Sequence, residues 1–210
     1  MECKLCGSKK IQQIAIEDKY YYCKNCELIF IDQVSLPSYK KELEVYEGHD
    51  NTHENEGYVR RFRNFINTLI VEHMEDIEDV LEFGCGPGPV LADMLEERGL
   101  NVVKYDPFFY SDVDYKNKEY DLITSTEVFE HFWEPKQEVE KLIELIKDKA
   151  YLAVMTSFHP GFEEFKDWWY RRDSTHVTFY NLNTFKYLES NYPLKIIKTN
   201  NKNGIIFQKE

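Results

Sequence analysis

No stretch of this chain approaches the ~20 consecutive apolar residues that a membrane-spanning helix needs. Met1 runs directly into Glu2 and Cys3, with no apolar segment of the kind that drives secretion. We therefore expect a cytoplasmic protein with no membrane partner. Positive charge is also in deficit, with 26 Lys and Arg against 38 Asp and Glu and a net charge of −12. That balance argues against a nonspecific grip on a phosphate backbone. Residues 1–41 carry seven Lys against five acids, so the remainder holds −14. Internal repeats and low-complexity tracts are absent. Glycine is scarce, nine in 210 residues, yet three fall between Gly84 and Gly88. There are only five cysteines, and four lie in the first 26 residues as two C-x-x-C pairs.

What remains is ordinary for a globular chain: 42% hydrophobic and 30% charged residues, enough for one α/β domain and a small appendage. Residues 1–36 read as the appendage. Cys3, Cys6, Cys23 and Cys26, with sixteen residues between the pairs, have the spacing of a structural four-thiolate zinc ribbon. A piece this small cannot bury a core of its own, so the metal supplies the missing stability. Residues 37–57 read as a polar linker with a short helix. From 58 to 210 the pattern alternates. Tyr58–Met74 is an amphipathic helix with Phe62, Phe65, Ile66, Leu69 and Ile70 on one face and Arg60, Arg61, Arg63 and Asn64 facing away. Strands are expected at 80–83, 101–105, 120–125 and 151–155, with helices after residue 89, from Pro135 and near 182–190. A hairpin closes the chain around Asn200–Gly204. Alternating strands and helices imply a Rossmann-like, mostly parallel sheet with a C-terminal antiparallel hairpin.

The chemistry begins at Glu82-Phe83-Gly84-Cys85-Gly86-Pro87-Gly88, a strand, glycine turn and helix start of the nucleotide-binding type. Glu82 beside the turn would repel a pyrophosphate but suits a cationic ligand. Asp106, twenty-four residues later at the end of the next strand, is placed for ribose hydroxyls. Cys85 reads as a small filler of the turn.

These segments, together with Tyr120-Asp121-Leu122-Ile123-Thr124-Ser125-Thr126-Glu127-Val128-Phe129-Glu130-His131, resemble the successive motifs of class I S-adenosylmethionine (AdoMet)-dependent methyltransferases over residues 58–210. The resemblance implies a seven-stranded sheet with AdoMet across the carboxyl ends of its strands. It places Glu82, Phe83, Gly84, Cys85, Gly86 and Gly88 at the methionine end, Asp106 at the ribose and Pro107-Phe108 at the adenine, with Thr126 and Glu127 adjoining. Only fourteen residues separate Asp106 from Asp121, so the usual third strand is expected to be short or missing.

The segment Trp168-Trp169-Tyr170-Arg171-Arg172-Asp173-Ser174-Thr175-His176-Val177-Thr178-Phe179-Tyr180 resembles a signature of a group of largely uncharacterised bacterial methyltransferases, which also look alike around Tyr46, His53 and Asn55. His131, His159 and His176 are the candidate general bases for a hydroxyl acceptor. Glu127, Glu130, His131 and His176 also resemble a divalent-metal set of some family members. In others the same Glu127 helps hold the cofactor and Glu130 orients the histidine. The aromatic run either packs the loop or recognises substrate, and Arg171 and Arg172 suggest a polar or anionic acceptor. The leading expectation is methyl transfer to an oxygen of a small molecule. RNA or protein methylation guided by the ribbon is the alternative, and a non-catalytic AdoMet-binding protein the third reading.

Overall fold

The computed structural model describes residues 1–17, 19–48 and 51–210; residues 49 and 50 of the expected linker lie outside it. Ten strands form two sheets among the described residues. The larger sheet contains β4 (Asp79–Phe83), β5 (Asn101–Tyr105), β6 (Tyr120–Thr126), β7 (Ile146–Met155), β9 (Leu194–Thr199) and β10 (Gly204–Lys209). Its order is β5-β4-β6-β7-β10-β9. β5, β4, β6 and β7 are parallel, and β10 runs antiparallel to both β7 and β9. The central strands are apolar on both faces, with Val80, Leu81, Leu122, Ile123, Leu152 and Val154 fully buried, as a sheet covered by helices on both sides requires.

The sheet has six strands, and the fourteen-residue interval after Asp106 holds neither a helix nor a third parallel strand. Aromatic packing fills the gap. Tyr115 is buried, with its ring 4.0 Å from that of Tyr105 and 5.9 Å from Phe83, while the Tyr120 hydroxyl donates to the Tyr115 carbonyl. β5 is thereby left as an edge strand.

Helices α3 (Val90–Glu96), α4 (Pro135–Leu145) and α5 (Leu182–Asn191) fall where periodicity places them. α2 (Glu56–Phe65) is shorter than its pattern implies. The chain continues as a π turn over 66–70 and a 3-10 turn over 71–76, a change of pitch that keeps Ile66, Leu69 and Ile70 inward. β7 starts five residues earlier than expected because Ile146 is already buried opposite Tyr120. The short helix of the linker is α1 (Tyr39–Glu47), with Ser38 as its N-cap. Among the described residues no helix is long and apolar enough to cross a membrane.

The smaller sheet joins β1 (Ile11–Gln13), β2 (Tyr20–Cys23) and β3 (Ile29–Ile31) to β8 (Thr178–Phe179). Its fourth strand thus comes from the far end of the sequence. One apolar cluster mixes Ile14, Tyr20, Ile29 and Ile31 with Phe165, Tyr170, Val177 and Phe179. The N-terminal piece is packed into the larger body rather than tethered to it. Phe179→Ala should accordingly cost about 3–5 kcal/mol, as for buried aromatics generally. In urea, tryptophan fluorescence and far-UV circular dichroism should shift together; separate transitions would mean that the two sheets unfold independently.

Candidate active site

β4 delivers the chain into a turn that only glycine tolerates. Gly84 has φ +84, and a Cβ there would lie 2.3 Å from the Val128 side chain. At Gly88 a Cβ would lie 1.7 Å from the Asn51 carbonyl oxygen, so the segment before α2 lies directly on the turn. The turn is tied to β5, since the amides of Gly84 and Cys85 both donate to the Tyr105 carbonyl at 2.7 and 3.0 Å. Asp106 completes the tie. Its carboxylate accepts from the amides of Gly86 at 3.0 Å, Phe108 at 2.8 Å and Phe109 at 3.2 Å. Glu82 is buried and accepts from the Ala92 amide in α3 at 2.9 Å. Burial pushes its carboxyl up to about 8. A positive ligand nearby would favour the charged form.

A cavity of about 660 Å³ opens from this turn toward the end of β6. Its far end is built from three sequence-distant pieces: α1, the turn after β6, and the segment from Trp169 to His176. Burial holds the His131 imidazole below its ordinary value, so it is neutral near pH 7. His131 Nδ1 lies 3.0 Å from the Thr175 carbonyl and 3.1 Å from the Tyr46 hydroxyl. A carbonyl can only accept, so Nδ1 carries the proton and Nε2 is the basic nitrogen. His176 is set the same way, with Nδ1 at 2.7 Å from the Tyr170 carbonyl. The two imidazoles sit 4.9 Å apart.

Beside them, Glu127 adopts φ +58 and pairs with Arg61 at 3.6 Å. Glu130 is fully buried, and the Tyr170 hydroxyl donates to one of its oxygens and to Glu127. Burial pushes both carboxyls up to about 7, and for Glu127 the neighbouring Glu130 adds to the effect.

Of the expected residues, Glu82, Phe83, Gly84, Cys85, Gly86, Asp106, Pro107, Thr126, Glu127, His131 and His176 line this one cavity, while Gly88 supports the turn beneath Asn51. His159 does not reach it. Its Nδ1 accepts from the Gly161 amide, its Nε2 donates to the Glu27 carbonyl at 2.9 Å, and burial lowers its pKa to about 4. Both nitrogens are thus committed at the seam with the N-terminal sheet. Arg171 is likewise withdrawn, bonded to Glu17 at 2.9 Å and to the Lys166 carbonyl. The lining near the two histidines is acidic instead, with Glu42, Glu127 and Asp173.

Sequence reasoning put Arg61 on the outer face of its helix, whereas it faces the cavity. It missed Glu42, buried on α1 and accepting from the Trp133 indole at 3.2 Å. The one available signal was the four-residue spacing of Glu42 and Tyr46, which puts both on one helix face.

Two clusters have the donor sets of metal sites. The Sγ atoms of Cys3, Cys6, Cys23 and Cys26 lie within 4.8 Å of one another, with Cys3–Cys26 and Cys6–Cys23 each at 3.5 Å. Zinc–sulfur bonds of about 2.3 Å put tetrahedral sulfurs about 3.8 Å apart, so this cage fits zinc. Glu130, His131 and His176 form the second cluster, and the second carboxylate oxygen of Glu130 is buried near the Thr156 hydroxyl but with no hydrogen bond of normal length among the described residues.

Residues 51–199 match a family model described as a methyltransferase domain, and the chain belongs to that family. Its members transfer a methyl group. No curated protein matches the chain in sequence. The fold is similar to that of an O-methyltransferase family protein from Burkholderia thailandensis, at TM-score 0.52 and 11% identity, with 75% of this chain aligned to 58% of that one. It is also similar to the N-methyltransferase NodS from Bradyrhizobium japonicum WM9, solved with S-adenosyl-L-homocysteine, at TM-score 0.53 and 12% identity over 80% of this chain and 97% of that one. Magnesium protoporphyrin IX methyltransferase from Synechocystis PCC 6803, with bound AdoMet, aligns at TM-score 0.53 and 13% identity over 81% and 91%.

Gly84→Ala tests the turn. It combines left-handed strain of roughly 1–2 kcal/mol with overpacking of about 1–3 kcal/mol. A loss of about 2–5 kcal/mol in urea unfolding is expected; a loss of only about 1–2 kcal/mol would mean that Val128 yields freely and the strain alone remains.

Proposed function

We propose that the protein methylates a hydroxyl oxygen of a small-molecule acceptor, with His131 as general base. The observation that carries this reading is the fixed tautomer of His131: the Thr175 carbonyl holds the proton on Nδ1, leaving a basic Nε2 in a residue that lines the cavity of the glycine turn.

AdoMet would lie along the turn with its positive groups toward Glu82. Asp106 already accepts three amides, and a carboxylate has about four acceptor directions, so one is left for a ribose hydroxyl. Pro107 and Phe108 would border the adenine; the Phe108 ring is stacked 4.6 Å from Tyr39. Arg61 is held toward the cavity by Glu127. AdoMet, when bound, would supply an electrophilic methyl group to the acceptor oxygen, and His131 Nε2 would take the hydroxyl proton. Tyr46 and Thr175 keep the ring in its reactive orientation. The acidic lining suits a neutral or cationic acceptor better than a phosphate-rich one, which weighs against RNA. Zinc on the four cysteines would be structural, because four thiolates close its coordination shell.

A second reading of the base is favoured by the second carboxylate oxygen of Glu130. Two imidazoles oriented by carbonyls, with a carboxylate oxygen beside them, is how divalent-metal ligands are usually held. A cation on Glu130, His131 and His176 would acidify a bound hydroxyl.

Three measurements follow. With Glu82 at about 8 in the free protein, binding a cationic ligand expels a proton, so AdoMet affinity by calorimetry should rise with pH up to about pH 8, by at most tenfold per unit. Glu82→Gln should flatten that profile, and a flat wild-type profile would remove Glu82 from the cofactor site. His131→Ala should leave AdoMet binding nearly intact while lowering methylation of hydroxylated metabolites by about 10²–10⁴; an unchanged rate would exclude it as the base. Metal analysis should return one zinc per chain, lost in Cys3→Ser, and a second equivalent lost in His176→Ala would establish the metal reading instead.

A further inference from the structure

The ribbon is expected either to dock a macromolecule or merely to sit beside the catalytic body. Its contacts say something else about how the cavity is made. The segment between β7 and α5, residues 156–181, carries Tyr170, Asp173 and His176, and has little regular structure of its own: short 3-10 turns and the two residues of β8. Such a segment needs an external template to hold side chains in register.

The ribbon provides it at three places. At the metal knuckle, Glu27 follows Cys26 with φ +61, and its amide donates to the Cys23 carbonyl at 2.8 Å. The Glu27 carboxylate accepts from Asn181 at 2.8 Å and Asn183 at 2.9 Å, while its carbonyl accepts from His159. Along β3, Ile29 and Phe30 pair with Phe179 and Thr178, and the Ile31 amide donates to the Val177 carbonyl at 3.0 Å. Val177 then donates its own amide to the Glu130 carbonyl at 2.8 Å, so one residue joins the ribbon to the acidic cluster. On β2, the Tyr20 hydroxyl donates to the Arg171 carbonyl at 3.2 Å, next to Tyr170. The glycine turn and Asp106, by contrast, take their hydrogen bonds from β5, from each other and from the start of α3, and meet the ribbon through the apolar cluster that Phe83 shares with Leu28 and Phe30.

We infer that the ribbon is the positioning wall of the acceptor half of the cavity: metal on its four cysteines fixes the Cys23–Cys26 knuckle and β3, which hold His176 and Tyr170 in place, while the cofactor half stands without it. Glu27 is the positioning residue at the joint, touching neither cofactor nor acceptor. The inference rests on the proposed division of the cavity into a cofactor end and an acceptor end.

The full chain is compared as purified, after metal removal with a chelator under reducing conditions that leave every thiol unmodified, and as Glu27→Ala and Glu27→Gln. Two readouts are needed: hydrogen exchange of peptides covering 165–180, and AdoMet affinity by calorimetry. Metal removal should speed exchange in 165–180 at least tenfold while AdoMet affinity changes less than threefold. Glu27→Ala should keep its zinc and still show the faster exchange, together with altered imidazole resonances for His176, and Glu27→Gln should restore much of both. Unchanged protection of 165–180 after metal removal would overturn the inference, as would parallel loss of AdoMet binding, which would make the ribbon a general stabiliser. If the untreated protein bound no AdoMet at all, the cofactor reading would fail, and the exchange data would still decide whether the metal holds the segment.

Discussion

Three backbone amides converge on the carboxylate of Asp106, and the end of the cavity beside the glycine turn depends on that convergence. One oxygen holds Gly86, the other holds Phe108 and Phe109, so a single side chain spans the glycine turn and the turn that follows β5. Glu82 works from the opposite side, bonded to the start of α3. Between them the turn is clamped to two strands and a helix, with Asn51 lying against Gly88. Two carboxyl groups are brought together here and largely cut off from water, and Glu82, pushed up to about 8 by burial, takes its charged form readily only when a positive group enters.

The other end of the cavity is organised by carbonyls rather than by carboxylates. Thr175 and Tyr170 each present a carbonyl to a histidine Nδ1, which settles where the proton sits on both rings. Burial then keeps His131 neutral, so its second nitrogen is available at ordinary pH. Glu127 and Glu130, joined through the Tyr170 hydroxyl, form a second polar group beneath the rings. These groups come from the turn after β6 and from the segment before α5, which meet only in the folded chain.

The sequence was readable wherever the pattern was local. Alternation of strands and helices, the glycine turn, Asp106, the C-terminal hairpin and the close spacing of the cysteine pairs all express themselves within a few residues. The short interval after Asp106 correctly foreshadowed a missing strand, though not the packing of Tyr115 that takes its place. What escaped was long-range. A two-residue strand such as β8 has no periodicity to detect, so its pairing with β3 was invisible. Helical amphipathicity sorts Arg61 outward, and it is exposed, but that pattern carries no knowledge of the half-buried Glu127 carboxylate that draws its guanidinium to the cavity rim. His159 was grouped with the bases on residue type alone, while its two hydrogen bonds, to Gly161 and Glu27, exist only after the ribbon has docked.

The sheet shared by β1, β2, β3 and β8 bears on how such a protein could be inherited and rearranged. Small metal-stapled pieces at the start of a chain look like cassettes that recombination could trade between enzymes. In this chain β3 supplies hydrogen bonds to Val177, and Glu27 is clasped by Asn181 and Asn183, so the piece carries half of a fitted joint. A ribbon taken from a relative would bring the wrong half. Residues 1–36 and 156–183 therefore form one structural unit, although four of the six strands of the larger sheet lie between them in the sequence.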